Sequence, residues 1–351
     1  MAQGRPILPV LLAFVLCSCA TTTIRPTASP AALDAEARLQ MVMAERDFLL
    51  KLEKVDRVAW SLMEANTELC GSQLTWKLGF SFADASDYPR NRAIFEEAYG
   101  MKLSKLVLLQ VTPNGPAAQA GAQKGDIILK VEGQHVENKK DAFEILNKRG
   151  RPQDPVTLGI ERNGSVFDIT VPSVQLCDYP VTLQLSSAVN AYANGRGITI
   201  FTGMVKFTRT DDELAAILGH EMAHNIMGHR KAKQGNALLG ILLFDLPAAI
   251  FTGSNPRIGE QVGAQAFSQD FESEADYVGL YLTARAGYDI QNVADIWRRM
   301  AIENPGAITL GNTHPSTSAR FVNLEADRDE IYAKMKAHQE LVPNIKRKDH
   351  K

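Results

Sequence analysis

The sequence predicts an α+β protein in which an amphipathic helix and a β-rich unit precede a mainly helical domain. Three observations support this fold class: an apolar stripe of helical spacing before residue 70, alternating strand and turn signals up to about residue 174, and apolar helical patterns after residue 210. A length of 351 residues, with 45% hydrophobic and 22% charged residues, suits at least two cored domains. The formal net charge of −2 offers no electrostatic basis for binding nucleic acid, so no nucleic-acid partner is expected.

The N-terminus has the pattern of a secretory signal. Residues 1–18 contain one Arg and an apolar run that is too short for an ordinary membrane span. The letters "LCSC" that end at Cys19 resemble the bacterial lipobox, which implies that Cys19 becomes the lipidated first residue of the mature protein. Because Ala20 is not Asp, the Gram-negative sorting rule implies an outer-membrane lipoprotein that faces the periplasm. The alternative is an ordinary signal peptide that is cut nearby without lipidation.

The segment after the signal divides into a tether and a helix. Residues 19–32 are rich in Ser, Thr and Pro and are predicted to be a flexible tether. Residues 33–72 are predicted to form an amphipathic helix, because apolar residues recur there at alternating steps of four and three. The stripe consists of Phe48, Leu52, Val55, Ala59, Leu62 and Leu69. We expect it to pack on the body of its own chain, with a coiled-coil dimer as the alternative.

Cysteine usage predicts one disulfide. If Cys17 leaves with the signal and Cys19 carries lipid, only Cys70 and Cys177 remain of the four cysteines. Two thiols in an oxidising compartment favour a bridge, and the alternative is that both stay unpaired. The bridge would join the two ends of the β-rich segment that lies between them.

That segment has the turn chemistry of a small β domain. Residues 111–136, "VTPNGPAAQAGAQKGDIILKVEGQHV", contain a strand, Pro and Gly turns, a short Ala-rich helix and a second strand that ends at a Glu-Gly turn. A further strand pair surrounds the turn at Asn163 and Gly164. The pattern resembles a PDZ domain of the type found in secreted bacterial proteases. This resemblance predicts a β-rich PDZ domain over residues 73–176.

A PDZ domain binds an extended chain end by adding it as a strand to a sheet edge. The resemblance implies that the terminal carboxylate of such a peptide sits over the backbone amides of Leu78, Gly79 and Phe80, in the stretch "WKLGFSF". The insertion of residues 83–100 separates this loop from the rest of the pattern, and Gly100 offers a rival loop. A PDZ-shaped spacer that binds nothing is the other alternative.

The stretch "LGHEMAHNIMGH" carries the strongest signal for chemistry. A capping-box pattern begins at Thr210, so a helix is predicted to start there and to run through residue 233. On that helix His220 and His224 share one face and can bind one metal ion. Glu221 lies about 100° round the helix and can reach a water molecule beside the metal. This spacing is typical of zinc hydrolases.

Zinc bound by two histidines needs a third protein ligand, and the sequence offers two candidates. His229 follows His224 by five residues, which places it on another face of a continuous helix, so a polar helix-end role is predicted for it. The other candidate lies in "FSQDFESEADYVGLYL", where Glu272 and Asp276 share one helix face and Glu274 points elsewhere. Glu272 is predicted to bind zinc, and Asp276 to accept the free N–H of a ligating histidine.

The chain around these residues resembles a known family of enzymes. The stretch "VNAYANGRGITIFTGMVKF", the His-Glu-x-x-His helix, the Glu-x-x-Ala-Asp segment and "THPSTSARFVNL" follow in the order found in the CaaX-prenyl-protease and HtpX-like gluzincin metallopeptidases, in their soluble periplasmic branch. The resemblance implies a mainly helical zincin peptidase domain over residues 178–340, with a small mixed sheet. An edge strand near residues 190–192 would align an extended substrate. The implied site consists of one zinc ion held by His220, His224 and Glu272, the general base Glu221 and the supporting Asp276.

Two further residues are candidates for stabilising the oxyanion of the reaction. His314 is the first choice, because it precedes a proline at the start of the next helix. It has two alternatives: it binds the open zinc position and keeps the enzyme latent, or it only fixes the loop. Arg320 is the second candidate, and its alternative is an ion pair to Glu or Asp.

The apolar residues 236–253 are not predicted to cross a membrane. Asp245 and Pro247 interrupt them, and a single crossing would separate the two helices that carry the metal ligands. They are interpreted as an apolar hairpin or lid beside the cleft, with plain core packing as the alternative. Residues 341–351 are expected to be a solvated basic tail.

The function predicted from these features is zinc-dependent endopeptidase activity on misfolded or damaged envelope proteins. Zinc would activate water with Glu221 as general base, and the PDZ domain would bind substrate or regulate. The alternative is a periplasmic chaperone or scaffold in which the zinc site is structural or latent. Glu221 favours the enzyme, because a purely structural site has no need of it. The oligomeric state stays open.

Overall fold

The structure is a computed structural model that describes residues 28–240, 268–303 and 318–344. The predicted lipidation site Cys19 and the candidate His314 lie outside these ranges, as do most of the predicted apolar hairpin and of the basic tail. None of the helices within the described ranges is long and apolar enough to cross a membrane. The chain divides after Met41 into a short N-terminal unit and a large unit that begins at Val42.

The predicted amphipathic helix is α1, Pro30–Ala65, and a 3-10 turn, Thr67–Leu69, follows it. Its apolar stripe packs on the body of its own chain: three members are buried and the other three lie half-buried against the same core. Asn66 occupies the position where the stripe lacks an apolar residue, and it is fully buried. Its side-chain amide donates to the carbonyl oxygens of Leu62 and Leu282, at 2.8 and 3.0 Å, which compensates for its burial.

The predicted β domain consists of an antiparallel sheet and three short helices. The strands of this domain are β1 Leu74–Lys77, β2 Phe80–Ala83, β3 Val107–Val111, β4 Ile127–Val131, β5 Gln134–His135, β6 Val156–Arg162, β7 Ser165–Val171 and β8 Val174–Cys177. The helices are α2 Arg92–Tyr99, α3 Pro116–Gln119 and α4 Lys139–Asn147. The main sheet has the order β2-β3-β4-β6-β7, and β5 pairs with β4. Asn163 and Gly164 both have positive φ, 52° and 79°, as a two-residue hairpin turn requires.

A two-stranded ribbon and a disulfide join the beginning and the end of this domain. Strands β1 and β8 pair antiparallel, with Leu74 opposite Cys177. Cys177 is joined to Cys70, 107 residues away in sequence. Both half-cystines are buried in the core that also contains the C-terminal helices. The bridge therefore ties both ends of the β domain to the helical domain.

Reducing this bridge is expected to destabilise the protein. A closed loop of this length restricts the unfolded chain, and loss of a native disulfide typically costs about 2–5 kcal/mol of unfolding free energy. Thermal unfolding with and without a reductant measures the effect, and the Cys70→Ser, Cys177→Ser double variant serves as the permanently unbridged control. Non-reducing peptide mapping that finds two free thiols would contradict the bridge.

The C-terminal domain combines a small sheet with six helices in the described ranges. Its strands are β9 Val181–Gln184, β10 Ala191–Ala193 and β11 Ile198–Phe201. Its helices are α5 Thr202–Phe207, α6 Asp211–Ile226, α7 His229–Gly240, α8 Ser268–Arg285, α9 Val293–Glu303 and α10 Ser318–Lys336. Strand β11 pairs parallel with β9 and antiparallel with β10, so the sheet is mixed and β10 lies at its edge. The predicted α+β fold class is confirmed.

Two glycines let helices α6 and α8 approach closely. A Cβ atom on Gly219 would lie 2.6 Å from the hydroxyl of Thr283 and 2.8 Å from the carbonyl oxygen of Gly279. A Cβ atom on Gly279 would lie 2.8 Å from the backbone nitrogen of His220. Only glycine permits such close backbone contact. This crossing brings the acidic segment of α8 beside the histidines of α6.

Candidate metal centre

Helix α6 begins as predicted but ends earlier than predicted. The hydroxyl of Thr210 accepts a hydrogen bond from the amide of Glu213 at 3.2 Å, which caps the first turn. The prediction of one helix through residue 233 is wrong. The helix ends at Ile226, and Gly228 takes the left-handed conformation with φ 70°. A second helix, α7, then starts at His229.

Three buried side chains converge between α6 and α8. The Nε2 atoms of His220 and His224 are 3.1 Å apart. Each lies 3.4 Å from a carboxylate oxygen of Glu272. The donor atoms of the three side chains all lie within 4.8 Å of one another, so together they could hold one metal ion. All three side chains are buried.

This donor set fits zinc. Ligands at about 2.0–2.1 Å from a tetrahedral ion lie about 3.3 Å from one another, close to the separations between the three donor groups here. Two imidazoles and one carboxylate are the protein ligands of many catalytic zinc sites, which keep a fourth position for water or substrate. The predicted ligands are therefore brought together in a geometry that can hold one zinc ion.

His220 is oriented by an acidic partner, and that partner is held by an arginine. The Nδ1 atom of His220 lies 2.8 Å from a carboxylate oxygen of Asp276. Asp276 also accepts two hydrogen bonds from Arg320, both at 2.7 Å, and the guanidinium lies 3.9 Å from the ring centroid of Trp297. Burial raises the pKa of Asp276, but Arg320 and His220 outweigh burial and hold it below its ordinary value. For Arg320, the structure thus shows the ion pair that the sequence left as an alternative to an oxyanion role.

His224 is oriented by a second imidazole. Its Nδ1 atom lies 2.8 Å from the Nδ1 atom of His229, whose Nε2 atom lies 2.8 Å from a carboxylate oxygen of Glu274. His229 is only 2% exposed. His229 does lie at a helix end, as the first residue of α7, but the prediction of a polar helix-end role on another helix face missed its contact with His224. Because the helix breaks at Gly228, His229 is not carried to the far side but returns over His224.

The two central histidines differ in proton affinity. Burial lowers the pKa of both rings. For His220, hydrogen bonds to Asp276 and Glu272 outweigh burial and raise the pKa to about 9. For His224, burial prevails and lowers the pKa to about 4. His220 is therefore the more readily protonated of the two rings, and its Nε2 atom has to be free of a proton to bind a metal ion.

Glu221 lies in a cleft beside the edge strand β10. It is 3% exposed, and together with His224 it lines a cavity of about 350 Å³ whose opposite wall includes Tyr192 and Ala193. Asn225 holds the two walls together, because its side chain bonds the backbone of the turn that follows β10. The cleft thus offers a free sheet edge next to a carboxylate and the metal ligands, within the described part of the chain.

The loop predicted to bind a peptide carboxylate lies at the end of the β2 edge. Gly79 has φ 77°, and the carbonyl oxygens of Leu78 and Gly79 accept hydrogen bonds from Ala117 and Thr112, at 3.0 and 2.8 Å. The carbonyls are thus turned into the domain. The rival Gly100 ends helix α2, and its amide donates to Glu96 at 2.9 Å, so it is used in a helix cap.

Comparisons with known proteins agree with this geometry. Residues 168–328 match Peptidase family M48, and residues 77–172 match the PDZ domain. The matched M48 segment contains the three candidate ligands, Glu221 and Asp276.

Three relatives illustrate the extent of the similarity. The mitochondrial metalloendopeptidase OMA1 of Saccharomyces cerevisiae is 28% identical over 39% of this chain and 44% of its own length. OMA1 of Schizosaccharomyces pombe is 31% identical over 37% of this chain and 41% of its own length. The beta-barrel assembly-enhancing protease of Yersinia pestis is 26% identical over 42% of this chain and 36% of its own length.

This chain spans less than half the length of these three relatives, and the similarity covers a similar share of the chain itself. All three bear names of proteases. The resemblance stated from the motifs is confirmed for the peptidase family and for the PDZ domain, which residues 168–328 and residues 77–172 match.

Proposed function

We propose that this protein is a zinc-dependent endopeptidase that cleaves unfolded or damaged proteins of the bacterial envelope. The observation that carries the proposal is the buried group of His220, His224 and Glu272 beside Glu221, which faces a cleft at a sheet edge. A structural zinc site would have no use for a carboxylate in that position. The sheet edge suits an extended polypeptide better than a small molecule.

In the proposed mechanism, residues of the cleft bind the metal ion, align the substrate and transfer a proton. A zinc ion held by His220, His224 and Glu272 supplies Lewis acidity when bound. Strand β10 aligns the substrate chain, and Glu221 accepts a proton from the attacking water and returns it to the leaving amine. Asp276 holds His220 in the orientation that directs Nε2 into the site. We also propose that His314 stabilises the oxyanion.

The PDZ domain is proposed to select substrates. A chain end would add to the β2 edge with its carboxylate at Leu78, Gly79 and Phe80, and the carbonyls of Leu78 and Gly79 already face the domain. Exposed chain ends are a common feature of unfolded or truncated proteins. The name of the Yersinia pestis relative, an assembly-enhancing protease for β-barrels, supports a role for this chain in protein quality control of the envelope.

Loss of metal is expected to abolish the activity reversibly. The wild-type protein should contain one zinc per chain and release peptides from casein, because its cleft accepts an extended chain. A zinc chelator should stop release, and added zinc should restore it. Metal analysis and peptide mapping follow both steps. A zinc-loaded protein that only binds casein would favour the alternative, a chaperone or scaffold with a structural or latent zinc site.

We further propose that Cys19 carries a lipid that holds the protein at the outer membrane, facing the periplasm. The disulfide is consistent with an oxidising compartment outside the cytoplasm. Cells fed a labelled fatty acid should label the wild-type protein, and the Cys19→Ser variant should be unlabelled and leave the membrane fraction. Equal labelling of both forms would contradict the lipid anchor at this position.

A further inference from the structure

His229 is held in place from three sides. Its two ring nitrogens lie 2.8 Å from His224 Nδ1 and 2.8 Å from Glu274. Its ring stacks on Phe271 at a centroid distance of 4.7 Å and an angle of 19°. Phe271 and Glu274 both belong to α8, the helix that also supplies Glu272. The first residue of α7 is thereby locked to the acidic segment of the metal site.

The hydrogen-bond chain can be satisfied in one direction when His224 binds a metal. A neutral imidazole that offers Nε2 to a metal carries its proton on Nδ1, so Nδ1 of His224 is a donor. His229 must then accept with its own Nδ1, which places its proton on Nε2. That N–H donates to the carboxylate of Glu274. Every hydrogen bond in the chain has one donor and one acceptor in this arrangement.

This geometry also excludes His229 as a third ligand. Its Nδ1 faces His224 Nδ1, on the side of that ring opposite the nitrogen that meets His220. Its Nε2 is engaged by Glu274. Neither nitrogen is therefore available to a metal ion held by the Nε2 atoms of His220 and His224 and by Glu272.

We propose that His229 is a positioning residue for the metal site, which fixes the orientation and tautomer of His224 and is itself fixed by Glu274. This inference rests on the proposed zinc function and deepens it. The two histidine ligands are then supported in different ways. His220 contacts the carboxylate of Asp276 directly. His224 contacts the imidazole of His229, which in turn contacts the carboxylate of Glu274. Removing a partner of a ligating histidine typically weakens metal binding by about 10–100-fold.

The test measures zinc affinity by competition with a chromophoric chelator, using the detergent-solubilised full chain. His229→Ala should weaken zinc binding by about 10–100-fold. His229→Asn should restore most of the affinity, because its amide oxygen can accept from His224 at the place of the lost Nδ1. Glu274→Ala should give a smaller loss in the same direction. Absorption of the cobalt-substituted protein should change with Ala and return with Asn.

Asn225→Ala is the matched control. Asn225 neighbours His224 in sequence, but its side-chain oxygen and nitrogen are both used by the backbone of Gly195 and Gly197, in the turn after β10. It should lower the melting temperature and keep the zinc affinity. Melting curves of all variants identify any that does not fold, and Glu274→Ala then carries the test, since the Glu274 side chain is 33% exposed and tolerates replacement.

The possible failures are distinguishable. A zinc affinity of His229→Ala within about twofold of wild type would overturn the positioning role while leaving the peptidase proposal intact. Equal losses in His229→Ala and His229→Asn would assign His229 to packing alone, which also overturns it. A wild-type protein that binds no zinc, or binds it without ever cleaving casein, would overturn the proposed function instead.

Discussion

The Glu221→Gln variant is expected to lose about 10²–10⁴-fold in kcat while it keeps zinc and fold, because the amide can no longer accept a proton. Glutamine has almost the same size and shape as glutamate, so the packing around this buried position is preserved. The measurements are the rate of casein cleavage, zinc content and thermal melting. Together they separate a lost base from a lost metal.

The control for Glu221→Gln is the same chemical change elsewhere on α6. Glu213 lies in the first turn, where its carboxylate bonds Arg299 and the amide of Arg209. Glu213→Gln should affect stability and leave kcat unchanged. If Glu221→Gln cleaves at the wild-type rate, Glu221 is not the base.

His314→Ala is a useful comparison, because an oxyanion role of His314 predicts a lower kcat with full zinc content. If His314 instead binds the open zinc position and keeps the enzyme latent, its removal should raise kcat.

The Arg320→Leu variant is expected to lose about 3–5 kcal/mol of unfolding free energy, because the carboxylate of Asp276 stays buried without its guanidinium. Arg320 is 6% exposed and Asp276 is 5% exposed, so water cannot take over the lost hydrogen bonds. Urea unfolding measures the loss. Zinc affinity should fall as well, because Asp276 orients His220.

Two controls distinguish this buried pair from an ordinary one. Arg298→Leu, on α9, removes a cation that pairs with Asp295 and Glu325, and because all three side chains are more than 40% exposed it should cost much less stability than Arg320→Leu. Combining Arg320→Leu with Asp276→Asn removes both charges and should be less destabilising than Arg320→Leu alone. Equal stability of Arg320→Leu and wild type would show that the ion pair contributes nothing.

Much of the site could be predicted from the sequence because its parts lie within single helices. The spacing of His220 and His224 places both on one face of α6, and the spacing of Glu272 and Asp276 does the same on α8. The apolar stripe of α1 and the turn chemistry of the β domain are local patterns of the same kind. Helical and strand periodicities are properties of the backbone, so they hold before any tertiary contact forms.

His229 and Arg320 were misread or left open because their roles depend on other elements. Helix α6 ends at Ile226, and the left-handed Gly228 separates it from α7, so the periodicity of one continuous helix could not show where His229 lies. Gly228 was nevertheless a visible signal, since glycine is the usual residue after a helix end. Glu274 likewise acquires its partner only because α7 starts where it does.

The sequence by itself determined which side chains are the candidate metal ligands, which carboxylate is the candidate base and which cysteines are available to pair, because each follows from residue type and local spacing. Tertiary structure alone decided how α6 and α8 cross at Gly219 and Gly279, which brings the ligands of two helices to one point. It also decided what supports each candidate ligand. Asp276 orients His220 and is itself bound by Arg320. His229 orients His224 and is itself bound by Glu274. Most of these contacts join residues far apart in sequence, and they depend on close packing that no local period encodes.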